Sequence, residues 1–221
     1  MSHDNLCILF LKAPLPGHVK TRLQPQLTPQ QSAALYTAMV EDQLKALADG
    51  GFDTVLFIAQ DRHRELISNW LGPSRPMVAQ QGADLGARMF HAFEWAHHRG
   101  YHRMVLIGSD TPGIDRPLME EAFEALTTHD VVLGPSNDGG YYLIGIRQAH
   151  EPLFQNIRWS TSTVLNDTHA LAKSHGLSTN LLASRIDIDT FADVKQLWQE
   201  SKNGEVNIGP KTTHCLQSLL G

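Results

Sequence analysis

The chain has 221 residues, 42% of them hydrophobic and 19% charged, with a formal net charge of −5. That length supports one substantial core, and the acidic balance excludes a surface that grips nucleic acid through a broad basic field, so any polyanion bound is small and held locally. Cys7 and Cys215 lack the close spacing of a zinc motif or a disulfide framework.

Residues 1–5 contain no basic stretch leading into a signal-like apolar run, and no later run reaches the length of a membrane span. A cytoplasmic protein without a membrane span is therefore expected. Among the twelve histidines, no His-x-x-x-His pair carries the glutamate of a zinc protease. His97 and His98, beside Arg99, read as an exposed helix end.

Apolar runs alternate with helix-period segments. Strands are expected near 6–11, 53–59, 76–79, 103–108 and 130–134, with helices near 29–49, 62–71, 84–98 and 116–127. This rhythm predicts an α/β fold, a three-layer α/β/α sandwich around a mostly parallel sheet. After Leu133 a turn-rich segment leads straight into a strand over 141–146, which predicts an antiparallel insertion and makes the sheet mixed. A helix near 161–175 capped by Ser160 or Thr161, a strand near 178–182 and a helix near 191–200 follow. Residues 1–200 read as one domain, and 201–221 as a tail with room for one short helix.

Right-handed crossovers bring the strand ends to one edge of such a sheet, where open α/β folds bind ligands. The loop after the first strand carries Lys12, Lys20, Thr21 and Arg22, shaped by Pro14, Pro16 and Gly17. It is not a P-loop, which would require glycine where Pro14 and Val19 stand. Its cations suit a phosphate-bearing substrate.

The run 105–113 ends a buried-type strand in Ser109 and Asp110, placing a carboxylate at the same edge. Asp110 is either a ligand for a hard divalent cation or a turn former. Asp187-Ile188-Asp189-Thr190 supplies a second acidic element. Since magnesium commonly uses one or two protein carboxylates, Asp110 with Asp189 is the preferred metal pair and Asp187 the reserve, only one of the two being expected to face inward.

In 80–89, Gly82 and Gly86 allow close approach of a ligand, Gln81 suits a base or sugar hydroxyl, and Arg88 is placed to reach a phosphate or solvent. Asp84 is either a contact or the helix N-cap. In 137–142, Asn137, Asp138, Gly139, Gly140 and Tyr141 combine amide, carboxylate, bare backbone and ring, a set that meets both the hydroxyl rim and the apolar face of a sugar. The same residues are strong hairpin chemistry, and strand alternation divides Tyr141 and Tyr142 between site and core. Residues 159–163 either cover the acceptor side or bury Trp159 beside a helix cap.

Five motifs, at 12–23, 81–89, 108–112, 134–145 and 187–190, together resemble a bacterial glycosyltransferase-like family of the nucleotide-diphospho-sugar transferase superfamily, whose fold is GT-A. The likeness covers about residues 6–198 and extends to phospholactate and molybdenum-cofactor guanylyltransferases. It implies that Lys20 and Arg22 hold phosphates and that Asp110 and Asp189 hold Mg2+ or Mn2+. Phe191-Ala192 departs from the Pro-Glu that relatives often show there.

A metal-dependent transferase of a nucleotide or nucleotide-sugar and a small acceptor is the expectation, with a homodimer as the commonest closed assembly. Sugar transfer, with Asp138 as the base, stands slightly ahead of nucleotidyl transfer with release of pyrophosphate. The third alternative is a nucleotide-binding module without chemistry.

Overall fold

The computed structural model describes residues 4–48 and 50–221. β1 (Asn5–Leu11) runs through the centre of a seven-stranded sheet, and its strict alternation sets the layers: Cys7, Leu9 and Leu11 face one core, Leu6, Ile8 and Phe10 the other. α1 (Pro29–Leu47), α2 (Arg64–Leu71) and α4 (Arg116–Thr128) cover the first face, and α3 (Leu85–His97) and α5 (Val164–Ser174) the second. This is the expected three-layer sandwich.

The remaining strands are β2 (Asp53–Ile58), β3 (Met77–Ala79), β4 (Arg103–Gly108), β5 (Val131–Pro135), β6 (Tyr141–Ile146) and β7 (Thr179–Leu181). The sheet order is β3-β2-β1-β4-β6-β5-β7. β6 is antiparallel to both β4 and β5, while every other pairing is parallel. Six strands therefore end at one edge, and β6 begins there. The turn at 137–140 lets β6 pair directly with β5, which is why no helix intervenes.

Local chemistry fixes the helix starts. Thr28 and Gln31 form a capping box before Pro29, Asp84 caps α3 through Ala87 N–H, Asp115 caps α4 through Leu118 N–H, and Thr190 with Asp193 boxes α6 (Phe191–Lys202). α5 starts later than expected, at Val164 rather than near 161, because residues 160–163 turn beneath the hairpin.

The segment expected as a tail is instead part of the fold. α7 (Pro210–Leu220) packs on α1 and α6 in a third apolar cluster with Leu23, Leu27, Leu35, Met39, Ile188 and Leu197. Gly209 offers no side-chain cap, and Asp42 of α1 takes that role: its carboxylate accepts from Thr212 N–H at 2.7 Å and Lys211 N–H at 3.2 Å. Both cysteines are free, and among the described residues no helix is long and apolar enough to cross a membrane.

Candidate active site

At the carboxyl edge lies a cleft of about 440 Å³, floored by Phe10, Leu106, Met89 and Ile144 and rimmed by polar groups. The loop after β1 is pinned by Ala13, Val19 and Leu23, all buried in the cores. With Val19 and Leu23 fixed, the intervening residues must split between inside and outside. Lys20 turns inward, its side chain only 3% exposed, while Thr21 and Arg22 face solvent.

Lys20 achieves this with a left-handed backbone (φ 50, ψ 39), which costs a non-glycine residue about 1–2 kcal/mol. The cost is offset by two charge-assisted bonds: its Nζ lies 2.5 Å from Asp110 Oδ1 and donates to Ile188 O at 2.6 Å. Asp110 remains open to the cleft at 56% exposure. Partial enclosure works to raise the Asp110 pKa, but the charge and hydrogen bond of Lys20, with help from Lys12, outweigh it and hold the carboxyl below its ordinary range.

Lys12 also lines the cleft. Its backbone N–H donates to the Tyr36 hydroxyl at 2.9 Å, and that hydroxyl lies 3.0 Å from Ser109 Oγ. Tyr36, from the middle of α1, thus joins the loop after β1 to the end of β4. Sequence reading missed both Tyr36 and the positioning role of Ser109; a lone tyrosine among apolar helix residues carries no signal of where its hydroxyl goes.

The closing acidic turn resolves against expectation. Asp187 lines the cleft and accepts a hydrogen bond from Thr111, next to Asp110. Asp189 instead takes a 2.9 Å bond from Arg22 at the exposed rim. Neighbours two apart on a regular strand would share a face, but the backbone is irregular after Arg185 and the two carboxylates diverge. Burial raises the Asp187 pKa to about 6; the Thr111 hydrogen bond opposes this, and the charges of Asp110 and Asp138 add to it.

Other expectations are likewise sorted. Gln80, not Gln81, lines the cleft, its amide anchored to Phe57 O at 2.8 Å; Gln81 faces a separate hollow beside Trp95. Asp84 is occupied as the α3 cap. Arg88 lines the cleft and donates to Gly82 O at 3.2 Å.

Asn137 faces away from the cleft, accepting from Ser184 Oγ at 2.8 Å. One oxygen of Asp138 closes its own turn, accepting from Ser136 Oγ at 2.5 Å and Gly140 N–H at 2.9 Å. Gly139 (φ +88) is required by packing, since a Cβ there would sit 2.1 Å from Ser162 O, and a Cβ on Gly140 would crowd the same Asp138 and Ser136 oxygens at 3.1 Å. Tyr141 and Tyr142 both touch the cleft, with Tyr142 OH bonded to Ala183 O at 2.9 Å. Trp159 packs against Gly86, and Ser160 (φ 63) reaches the cleft wall.

No group of three or more His, Cys, Asp or Glu side chains among the described residues is arranged to hold a metal by itself. Asp110 and Asp187 are nonetheless two hard oxygen donors in the same cleft as Lys12 and Lys20. That donor set fits Mg2+ or Mn2+ arriving with a nucleotide, the ion completing its shell from phosphate and water.

The fold is the α/β architecture found in nucleotide-diphospho-sugar transferases of the GT-A kind and in nucleotidyltransferases. Residues 40–161 match the family described as "Uncharacterized protein conserved in bacteria (DUF2064)", and the chain belongs to that family.

It is 35% identical to a protein of Desulfovibrio desulfuricans G20, provisionally assigned as a nucleotide-diphospho-sugar transferase. That crystal structure superposes with a TM-score of 0.93 over 98% of this chain and 95% of the other. A 2-phospho-L-lactate guanylyltransferase of Methanothermobacter thermautotrophicus is 26% identical over 91% of this chain and 84% of its own length. Rv0371C of Mycobacterium tuberculosis H37Rv, in complex with manganese, shares the fold at a TM-score of 0.55 and 16% identity, over 87% of this chain and 97% of its own.

Proposed function

We propose that the protein is a divalent-metal-dependent nucleotidyltransferase that joins a nucleoside triphosphate to a phosphorylated small molecule and releases pyrophosphate. The observation that carries this reading is the convergence of Lys20, Lys12, Asp110 and Asp187 in one cleft. An oxygen of the acceptor phosphate attacks the α-phosphorus, and the bond to the bridging oxygen breaks with its electron pair leaving on pyrophosphate. No proton need be removed, because a phosphorylated acceptor is ionised at neutral pH.

Catalysis of such a transfer is chiefly positioning and charge stabilisation. Lys20, already oriented by Asp110 and Ile188 O, is assigned to the phosphates, with Lys12 and Arg88 at the cleft wall and Arg22 at the rim. Asp110 and Asp187 would hold the metal, which when bound supplies charge neutralisation at the phosphate oxygens. Gln80, its amide nitrogen anchored to Phe57 O, and the ring of Tyr141 are assigned to substrate contacts.

Glycosyl transfer is the second reading, favoured by the provisional assignment of the Desulfovibrio relative. It needs a base for the acceptor hydroxyl, and Asp138 is the candidate. That carboxylate lies outside the cleft lining with one oxygen committed to its turn, which is why nucleotidyl transfer is preferred.

The test is product analysis. Nucleoside triphosphates, GTP first, are incubated with Mg2+ or Mn2+ and phosphorylated hydroxy acids, and pyrophosphate is measured. Diphosphate released from nucleotide-sugars, without pyrophosphate from triphosphates, would establish the glycosyl reading instead. If no nucleotide raises the melting temperature with metal present, the reading as an enzyme of this class fails.

A further inference from the structure

At the opposite, amino edge of the sheet lies a second cleft of about 500 Å³, as large as the first. It is formed by the end of α3, the start of β4, the start of β5 and the segment after β6. The connections gather histidines at this end: positions 97, 98, 102, 129, 150 and 175 are six of the twelve in the chain, and none has a place in the proposed chemistry.

His97, His102 and His150 line the cleft with Arg147, while Val131, Ile146, Leu153 and Leu177 give it an apolar floor. Among the described residues, Asp130 is the one carboxylate in the lining, and one of its two oxygens is engaged, accepting from both Ser178 N–H at 2.9 Å and Ser178 Oγ at 2.7 Å. Among the described residues, the exposed Arg147 guanidinium makes no direct ion pair or hydrogen bond, although its charge reaches Asp130 and helps hold that carboxyl below its ordinary range, and His150 carries a buried Nε2 without a partner. Buried polar atoms of that kind are rare and call for a partner. His150 is further set by its neighbour His175, whose ring meets it edge-on at 5.1 Å.

We propose that this cleft is a second ligand site, taking a small organic anion: a carboxylate or phosphate head received by Arg147 and the imidazoles, on an apolar body received by Leu153, Leu177 and Ile146. A planar guanidinium suits either head through paired N–H donors. The lining combines donors, one acceptor partly engaged by Ser178 and apolar side chains, which is the composition of a small-molecule pocket. The site is separated from the active cleft by the length of β6, whose opposite end carries Tyr141 and Tyr142. It stands whether or not the protein transfers nucleotides.

The test uses the full-length protein and two probes, phenyl phosphate and benzoate, followed by calorimetric titration. At least one probe binds the wild type and Lys20→Met alike, and Arg147→Ala weakens that binding at least tenfold. The probe that binds identifies the head group. In parallel, imidazole 1H–15N spectra of the wild type show the His97, His102 and His150 resonances shifting with the same affinity. The proposal is overturned if neither probe binds, if Arg147→Ala binds as the wild type does, or if Lys20→Met abolishes binding and those resonances stay still.

Discussion

Arg22 and Asp189 hold each other 2.9 Å apart on the exposed rim, while Lys20 and Asp110, 2.5 Å apart, meet in the cleft. Two basic and two acidic residues that look equivalent in the sequence are thus sorted into an outer and an inner pair.

The inner lysine matters more. Lys20→Met is expected to lower kcat/KM by about 100-fold or more, the loss seen when one aimed donor is removed from a developing anion. Arg22→Ala breaks an exposed pair worth about 1 kcal/mol at most and should cost under about tenfold. Pyrophosphate release measured for both variants checks the order, and the reverse order would invalidate the inner–outer assignment.

The two late aspartates should differ in metal dependence. Asp187→Asn is expected to raise the Mg2+ concentration for half-maximal activity by about tenfold or more, in line with loss of one of two carboxylates. Asp189→Asn should leave that concentration within about threefold of wild type. A metal titration of each variant decides between them.

Asp187 also makes a pH prediction. Its folded pKa of about 6 stands above the ordinary 3.8, so the folded state binds the proton more tightly than the unfolded chain. The group therefore destabilises the metal-free protein fully above about pH 6, and that penalty fades as pH falls toward 4. Asp187→Asn removes it. Urea unfolding without metal should show the variant more stable by up to about 3 kcal/mol at pH 7.5 and matched to wild type near pH 4.

Gly139→Ala places a methyl against Ser162 O at a residue with φ +88. The strain and the forced shift of 160–163 are expected to cost about 1–3 kcal/mol in chemical denaturation. Since Ser160 borders the cleft, acceptor KM should rise more than nucleotide KM falls or rises.

Asp42→Ala removes the carboxylate that caps α7 across the third apolar cluster. A loss of about 1–2 kcal/mol is expected by the same denaturation assay. A neutral result would mean that residues 201–221 contribute little to the domain's stability.

The order of strands and helices, the mixed sheet and the convergence of the loops at 12–22, 108–111 and 187–190 on one edge were legible in the chain, because strand alternation, helix caps and turn residues act over a few positions each. Asp84 and the Asn137–Gly140 turn show the limit of that reading: their residue types serve equally as caps and turns, and that is the work the structure gives to Asp84 and to one oxygen of Asp138. α7 was underestimated because its cap comes from Asp42, nearly the length of the chain away.

The amino-acid sequence by itself determined the layers, the edge at which chemistry-bearing loops gather and the basic and acidic residue types in them, since these follow from local periodicity and from the handedness of crossovers. Tertiary structure alone decided that Lys20 and Asp187 face the cleft, that Gln80 replaces Gln81, that Tyr36 joins two loops and that His97, His102 and His150 share a second cleft. Those outcomes depend on irregular backbone turned by buried anchors such as Val19, Leu23 and Ile188, and an anchor's effect on its neighbours is set by what it packs against.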